Sequence, residues 1–355
     1  MATAASLLLA RSGLARAGKE AEPLELILAG YPYNHVKALI NGDARISGCV
    51  SSFEIDKIGN LNTHVFDAPQ TRAVSEIGLA PFMLAYANNA FRDYSLLPVF
   101  PFRTFRHRSI FVNAGSGIEH PSQLKGKRVG TPGYSQTSLQ WIRGILQDQY
   151  GVRAEDIQWV VSARDSSAAL SGNPSKNETV FPEHLSVAVG PPGKDESDML
   201  VDGDVDALFH ALEPQAFVEG DPRVRRLFAD VRAIERDYFK RTGIYPIMHA
   251  VAIRNDLVAA YPWLPEAVFR AYSDAKNLGY ASMRKNHFFE TIPWYSQELE
   301  ATQALMGNNY WPYGIEPNRK ALETLFRYSH EQGLASRELS IEELFVPSTL
   351  DLLES

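Results

Sequence analysis

The segment from His120 to Gly151, HPSQLKGKRVGTPGYSQTSLQWIRGILQDQYG, constrains the fold of this chain more than any other stretch. It reads as a surface turn, a buried strand, a glycine-rich loop and a helix in unbroken succession. Leu139, Ile142, Leu146 and Tyr150 recur at helical spacing, so the helix carries an apolar stripe that must be buried. A strand feeding a helix in this way is the unit of open α/β sheets, where ligands bind beyond the carboxyl ends of the strands. The loop from Gly130 to Thr137 would lie at such an end, with backbone donors at the helix start that suit an anion. Gly130 and Gly133 equally fit a plain turn.

The same alternation recurs along the chain. LELILAG from Leu24 reads as a strand, and HVKALING as a short helix closed by Gly42. AVSEIGLA reads as a strand and PFMLAYANNAF as a helix with Pro81 in its first turn, where the missing donor costs nothing. LLPVFPF, SIFVNA, IQWVV, RVRRLFAD and IYPIMHAVAIR read as further strands, and SDMLVDGDVDALFHA as a helix turning through Gly203 into a strand. PWLPEAVFRAYSDAKNLGYASM and NRKALETLFRYSHEQG are long helices, while residues 163 to 195 are rich in Ser, Pro, Gly and Lys and read as an irregular excursion.

This order is similar to the type II periplasmic-binding fold, a two-lobed α/β architecture with a central ligand cleft and two hinge crossings. The resemblance implies one lobe from residues 24–119 and 246–355 and a second from 120–245. The crossings are then expected near Asn113 to Ser122 and near Tyr245 to Ala250. At 355 residues the chain has the length for two such lobes, each large enough to bury a core without covalent staples. A net charge of −7 leaves no basic footprint for a nucleic-acid backbone. Cys49 is the only cysteine, so there is no internal disulfide, and no CxxC or HExxH spacing marks a metal site. No stretch approaches the roughly 20 apolar residues that span a bilayer. Residues 1–23 are expected to be a disordered extension; their arginines leave a targeting role as the alternative, and the expected location is cytoplasmic.

Three clusters could carry chemistry. FRTFRHRSIFVN brings Arg103, Arg106, His107 and Arg108 together just before a strand; TGIYPIMH sets His249 in an apolar run; NNYWPYGIEPNR gathers Tyr310, Trp311, Tyr313, Glu316 and Arg319 around two prolines. Each has a bland alternative: a solvated basic turn, a hydrogen-bonded core histidine, and an aromatic cover for the core.

FRHRSIFVN, LKGKRVG, WIRGILQDQYGV, GDPRVRRLF, TGIYPIMH, WPYGIEPNR and RYSHEQGL, in this order, resemble the 4,5-dihydroxyphthalate decarboxylase family from about Leu24 to the C-terminal region. The resemblance implies a carboxy-lyase that removes carbon dioxide from a hydroxylated aromatic acid, 4,5-dihydroxyphthalate giving 3,4-dihydroxybenzoate, with no cofactor and no metal. The partner is then a small aromatic carboxylate, with neither nucleic acid nor membrane involved, and homo-oligomerisation is left open. Such chemistry needs a base, an acid and an anion clamp, and a histidine suits the first two because its pKa of roughly 6.5 lies near operating pH. The expected catalytic set is His107 and His249 facing each other across the cleft, with Glu76 orienting a histidine or a phenol. The expected substrate contacts are Arg106, Tyr134, Arg319, Tyr33, His35 and His210. His35 and His210 could also gather with His107 and His249 around a metal, which nothing in their spacing requires.

Two departures from the family pattern bear on substrate. Tyr33, Asn34 and His35 stand where the family has Tyr-Asp-Arg, and Ala211, Leu212, Glu213 and Pro214 where it has Ala-Arg-Ala-Pro. Two cleft arginines are thus expected to be absent, and an altered aromatic acid follows. The competing reading is a solute-binding protein that delivers a small carboxylate to a transporter, which a clear secretion signal would favour. A third, an enzyme of the same fold in pyrimidine or cofactor synthesis, fits the quoted motifs poorly.

Overall fold

The computed structural model describes residues 22–354, so the expected extension falls almost wholly outside the described residues. Strands run β1 (Leu24–Gly30), β2 (Cys49–Ile55), β3 (Val74–Gly78), β4 (Tyr94–Arg103), β5 (Ile110–Asn113), β6 (Arg128–Thr131), β7 (Gln158–Val161), β8 (Val187–Val189), β9 (Ala207–Phe209), β10 (Val224–Arg226) and β11 (Ile247–Arg254). They form two mixed sheets, ordered β2-β1-β3-β11-β4 and β10-β5-β9-β6-β7-β8. β1, β2 and β3 are parallel, as are β9, β6, β7 and β8, so each sheet has a set of carboxyl ends at which a ligand can be met. No helix among the described residues is long and apolar enough to cross a membrane.

The first crossing lies earlier than the sequence suggests. β5 pairs with β9 and β10 and therefore belongs to the second sheet, which puts the change of lobe at residues 104–109 instead of 113–122. The apolar run SIFVNA has no feature that assigns it to one sheet or the other; pairing with β9 decides. The chain returns to the first sheet through residues 243–246. β2 and the helices Ile58–Phe66, Val231–Thr242 and Tyr295–Met306 have no counterpart in the sequence reading, because their apolar periodicity is weak or interrupted by polar residues.

β4 shapes the site. It contains Pro98 and Pro101, which have no N–H to give to β11. The ladder slips accordingly: two residues along β11, from His249 to Val251, span five along β4, from Phe102 to Leu97. Such an irregularity bends a strand and re-aims its side chains. The carbonyls left over are taken from outside the ladder. Gly314 N–H donates to Pro98 O at 2.8 Å, Trp311 Nε1–H to Phe100 O at 2.7 Å, and the His35 ring, through Nε2, to Pro101 O at 2.9 Å.

The lobes share a core. Helix Thr137–Tyr150 buries Leu139, Ile142 and Leu146 in the second lobe, as its stripe requires, but Trp141 and Ile145 on its other side join the core of the first. Trp141 Nε1–H donates to Ile247 O at 2.9 Å, tying this helix to the start of β11. Helix Arg319–Glu331 lies along it, with Tyr328 against Gly144 and the Tyr328 hydroxyl donating to Asp148 at 2.7 Å. A Cβ on Gly144 would stand 2.2 Å from the Tyr328 ring. Gly144→Ala should therefore destabilise the protein by about 1–3 kcal/mol despite alanine's better helix propensity. Urea unfolding would show this as a lower midpoint with an unchanged slope; an unchanged or higher midpoint would contradict the packing described.

Candidate active site

The centre of the first sheet holds a carboxylate. β3 is buried at all five residues, and Glu76 within it is 2% exposed. A buried carboxylate needs donors, and neighbouring elements supply three. Tyr31 N–H donates to Oε2 at 2.9 Å; the Tyr33 hydroxyl donates to Oε1 at 2.8 Å; His249 Nδ1 lies 2.6 Å from the same Oε1. Gly30 makes the approach possible, since a Cβ there would come within 2.9 Å of Oε2. Oε1 already accepts the Tyr33 hydroxyl, so Nδ1 of His249 is the donor toward Glu76 and Nε2 is the ring nitrogen on the cavity side. The irregularity in β4 flanks His249 on both sides.

His249 faces a cavity of about 270 Å³ between the sheets. Small-molecule sites run from about 300 Å³ upward, so this one has the size for a single substituted ring. Tyr31, Tyr33, Phe102, Met248, Leu139 and Leu212 form apolar walls. Phe102 and His249 have ring centroids 5.0 Å apart, and Tyr33 stacks on Phe102 at 6.0 Å. Gln136, Thr137 and Ser138 bring in the loop and helix start after β6, as the position of that loop at a strand's carboxyl end implied. Arg106, 4% exposed, also lines the cavity. Its Nη1 donates to Ala211 O at 2.6 Å, and its Nε lies 3.2 Å from Met248 Sδ. Burial, with Arg108 nearby, lowers its pKa to about 9, which leaves the guanidinium charged at neutral pH.

Two further acids on the wall had no signal in the sequence, because the irregular excursion that carries them shows no periodicity. Glu178 is 7% exposed and accepts the Ser175 N–H at 2.7 Å; burial pushes its carboxyl up, against the lowering effect of Asn62 and Ser175. Asp165 accepts the Ser167 N–H and hydroxyl, each at 2.7 Å. Tyr31 was also missed, although it directly follows β1 at a carboxyl end.

Five expected site residues lie elsewhere. His107 is 1% exposed in an aromatic pocket, edge-on to Phe228 at 5.5 Å and Tyr238 at 5.1 Å, and does not face His249 across the cavity. Tyr134 is fully buried beneath Arg143, whose guanidinium sits 3.5 Å over its ring, and so supports the loop without reaching the cavity. Arg319 is spread among the surface carboxylates Glu316, Glu323 and Glu342. His35 stands behind Tyr33, stacked at 5.3 Å, with its ring committed to Pro101. The departure at His35 therefore does not face the cavity; the one at Leu212 does.

His210 is fully buried, with Nε2 3.1 Å from Glu196 and 3.6 Å from Asp165. This His-Glu-Asp group is the one set of side chains among the described residues with metal-ligand proximity, and it contains none of the other three histidines. Leu212 N–H donates to Nδ1 at 3.2 Å and Nε2 is turned toward both carboxylates; against burial, which lowers it, they raise the pKa of the ring to about 9, whereas a metal ligand would need Nε2 free of hydrogen. The group holds Asp165 at the cavity wall.

Neither ring nitrogen of His107 has a hydrogen-bond partner, and burial lowers its pKa to about 4. The folded protein keeps this ring neutral while the unfolded chain takes up a proton below about pH 6.5, so stability falls as pH drops from there toward 4. His107→Phe should keep turnover within a factor of about two and reduce the acid loss of stability by about 2–3 kcal/mol at pH 4. Unfolding measured from pH 7 to 4 would contradict this if wild type and variant lost stability in parallel.

Residues 98–173 match a family model described as NMT1/THI5 like. The solved periplasmic aliphatic sulphonate binding protein SsuA of Escherichia coli is 15% identical over 93% of this chain and 100% of that chain, with a TM-score of 0.54. The alkanesulfonate-binding protein SsuA of Xanthomonas axonopodis pv. citri gives 13% identity over 92% and 99%, with a TM-score of 0.52. These likenesses show the fold, a two-lobed α/β periplasmic-binding architecture. A 4,5-dihydroxyphthalate decarboxylase of Pseudomonas putida is 29% identical over 61% of this chain and 82% of its own length. Another, of Comamonas testosteroni, is 32% identical over 92% of this chain and 98% of its own length. The chain belongs to the 4,5-dihydroxyphthalate decarboxylase family.

Proposed function

We propose that this protein catalyses the non-oxidative decarboxylation of a hydroxylated aromatic carboxylic acid. The reaction for which its relatives are named, 4,5-dihydroxyphthalate to 3,4-dihydroxybenzoate and carbon dioxide, is the reference case. The observation that carries this reading is a histidine held by a buried carboxylate, with its second nitrogen on the side of a ring-sized, largely apolar cavity. A protein that only binds and releases a carboxylate has no need of that pair.

The geometry suggests a division of labour. Arg106 holds the substrate carboxylate through a charge-assisted hydrogen bond. Nε2 of His249 takes the proton of a ring hydroxyl para to that carboxylate, and Glu76 stabilises the imidazolium that forms. The phenolate raises electron density at the carbon bearing the carboxylate, and that carbon accepts a proton. Glu178 is the group suited to give it, since its burial favours the protonated acid. The bond to the carboxylate then breaks, its electron pair restores the aromatic ring, and carbon dioxide leaves. His249 returns its proton to the phenolate, and solvent reprotonates Glu178. One proton is consumed per carbon dioxide released. This assignment replaces the expected His107–His249 pair with His249 and Glu178.

His249→Ala, Glu76→Gln and Glu178→Gln should each lower kcat by about a hundredfold with smaller effects on KM. Arg106→Ala should chiefly raise KM, because the substrate carboxylate loses its charge partner. Carbon dioxide release from hydroxylated benzoic and phthalic acids would check this. Near-normal kcat in folded His249→Ala would contradict the role of the dyad.

A further inference from the structure

The cavity carries very little positive charge. Six of its lining residues are ionisable, Arg106, His249, Asp165, Glu178, Tyr31 and Tyr33, and only Arg106 is a permanent cation. Most of that guanidinium is already in use: Nη1 is committed to Ala211 O and lies 3.4 Å from the Ser109 hydroxyl, and Nε faces Met248. Among the described residues Nη2 makes no hydrogen bond. Next to Ala211 on the same wall is Leu212, 36% exposed and open to the cavity, with its N–H given to His210. Asp165 and Glu178 are also on the wall; Asp165 faces the buried His210, whose ring it and Glu196 hold toward the charged form, and Glu178 is paired with no cation of the lining.

We infer that this protein takes a hydroxylated benzoic acid bearing a single carboxylate, and that Leu212 is the residue that sets this specificity. The chemistry at the ring rests on the decarboxylase reading above; the preference for one carboxylate rests on charge alone. One carboxylate fits Arg106 Nη2. A second, ortho to the first, would lie in the same small enclosure against an isobutyl group and the Asp165 carboxylate, with no second cation of the lining to meet it. A buried charge without a partner is strongly disfavoured, and the apolar contacts of the ring are the same for both acids. An arginine at position 212 would stand beside Arg106, two residues along from His210, and would complete a two-guanidinium clamp for adjacent carboxylates.

The matched probes are 3,4-dihydroxybenzoate and 4,5-dihydroxyphthalate, which share the diol and differ by one carboxylate. Titration calorimetry on the full chain should give a Kd for the monoacid lower by at least about tenfold, and kcat/KM for carbon dioxide release should favour it to a similar degree. Leu212→Arg should shift both ratios toward the diacid by about a hundredfold, while Leu212→Gln, a neutral control of similar length, should leave them in place. Tighter binding or faster turnover of the diacid by wild type would overturn the inference. Ratios unmoved in folded Leu212→Arg would overturn the assignment to Leu212. Tighter binding of the monoacid with no carbon dioxide from either compound would sustain the single-carboxylate site and defeat the decarboxylase reading.

Discussion

The burial of the Glu76 carboxylate in the middle strand of a sheet is the constraint on which the site depends. A charge placed there must be met by donors from several directions, and each donor fixes a different part of the chain. Tyr31 N–H holds the turn after β1, Tyr33 sets one aromatic wall, and His249 is drawn toward β3 from β11. Gly30 leaves the room in which this happens. Removing any one donor leaves the carboxylate short of partners, so the imidazole is oriented by the stability of the sheet itself.

The prolines of β4 act on the same point from the other side. Without N–H groups at positions 98 and 101, β4 cannot pair regularly with β11, and the slip lies beside His249. His35, Trp311 and Gly314 satisfy the freed carbonyls. The aromatic turn around Trp311 is thus part of the scaffold for the site, although none of its side chains reaches the cavity. From the second lobe, the excursion that carries Asp165 and Glu178 closes the cavity over the first. The Tyr31 hydroxyl accepts the Ile58 N–H at 2.8 Å and donates to Leu170 O at 3.4 Å, and Gly59 meets the Asn173 carbonyl so closely that a Cβ would overlap it.

Much of this frame was legible in the sequence, and the reasons are local. Strands β1, β3, β6, β7 and β11 announce themselves as short apolar runs with turn residues at their ends, and helix Thr137–Tyr150 by its stripe. Glu76 stood out as a carboxylate at the end of such a run, Arg106 as a charged group just before a strand, and His249 as a polar ring inside an apolar run. His107 has the same credentials as Arg106, one residue away, yet it points into an aromatic core, because direction along an irregular connection is not encoded in spacing. Tyr134 and Arg319 were misplaced for the same reason. Asp165 and Glu178 were illegible because tertiary contacts, not periodicity, bring the excursion to the cavity. Leu212 was legible only as a departure from a family pattern, and its meaning came from seeing it on the cavity wall.

Glu76 fixes His249 with hydrogen on Nδ1, which leaves Nε2 on the cavity side as the base. Nitrogen-15 NMR of histidine-labelled protein at neutral pH, before and after addition of 3,4-dihydroxybenzoate, reads this directly. The predicted result is an Nδ1–H tautomer at His249 whose Nε2 resonance moves on ligand addition while Nδ1 stays hydrogen-bonded, and loss of that tautomer preference in Glu76→Gln. An Nε2–H tautomer, or a His249 resonance that ignores the ligand, would contradict it.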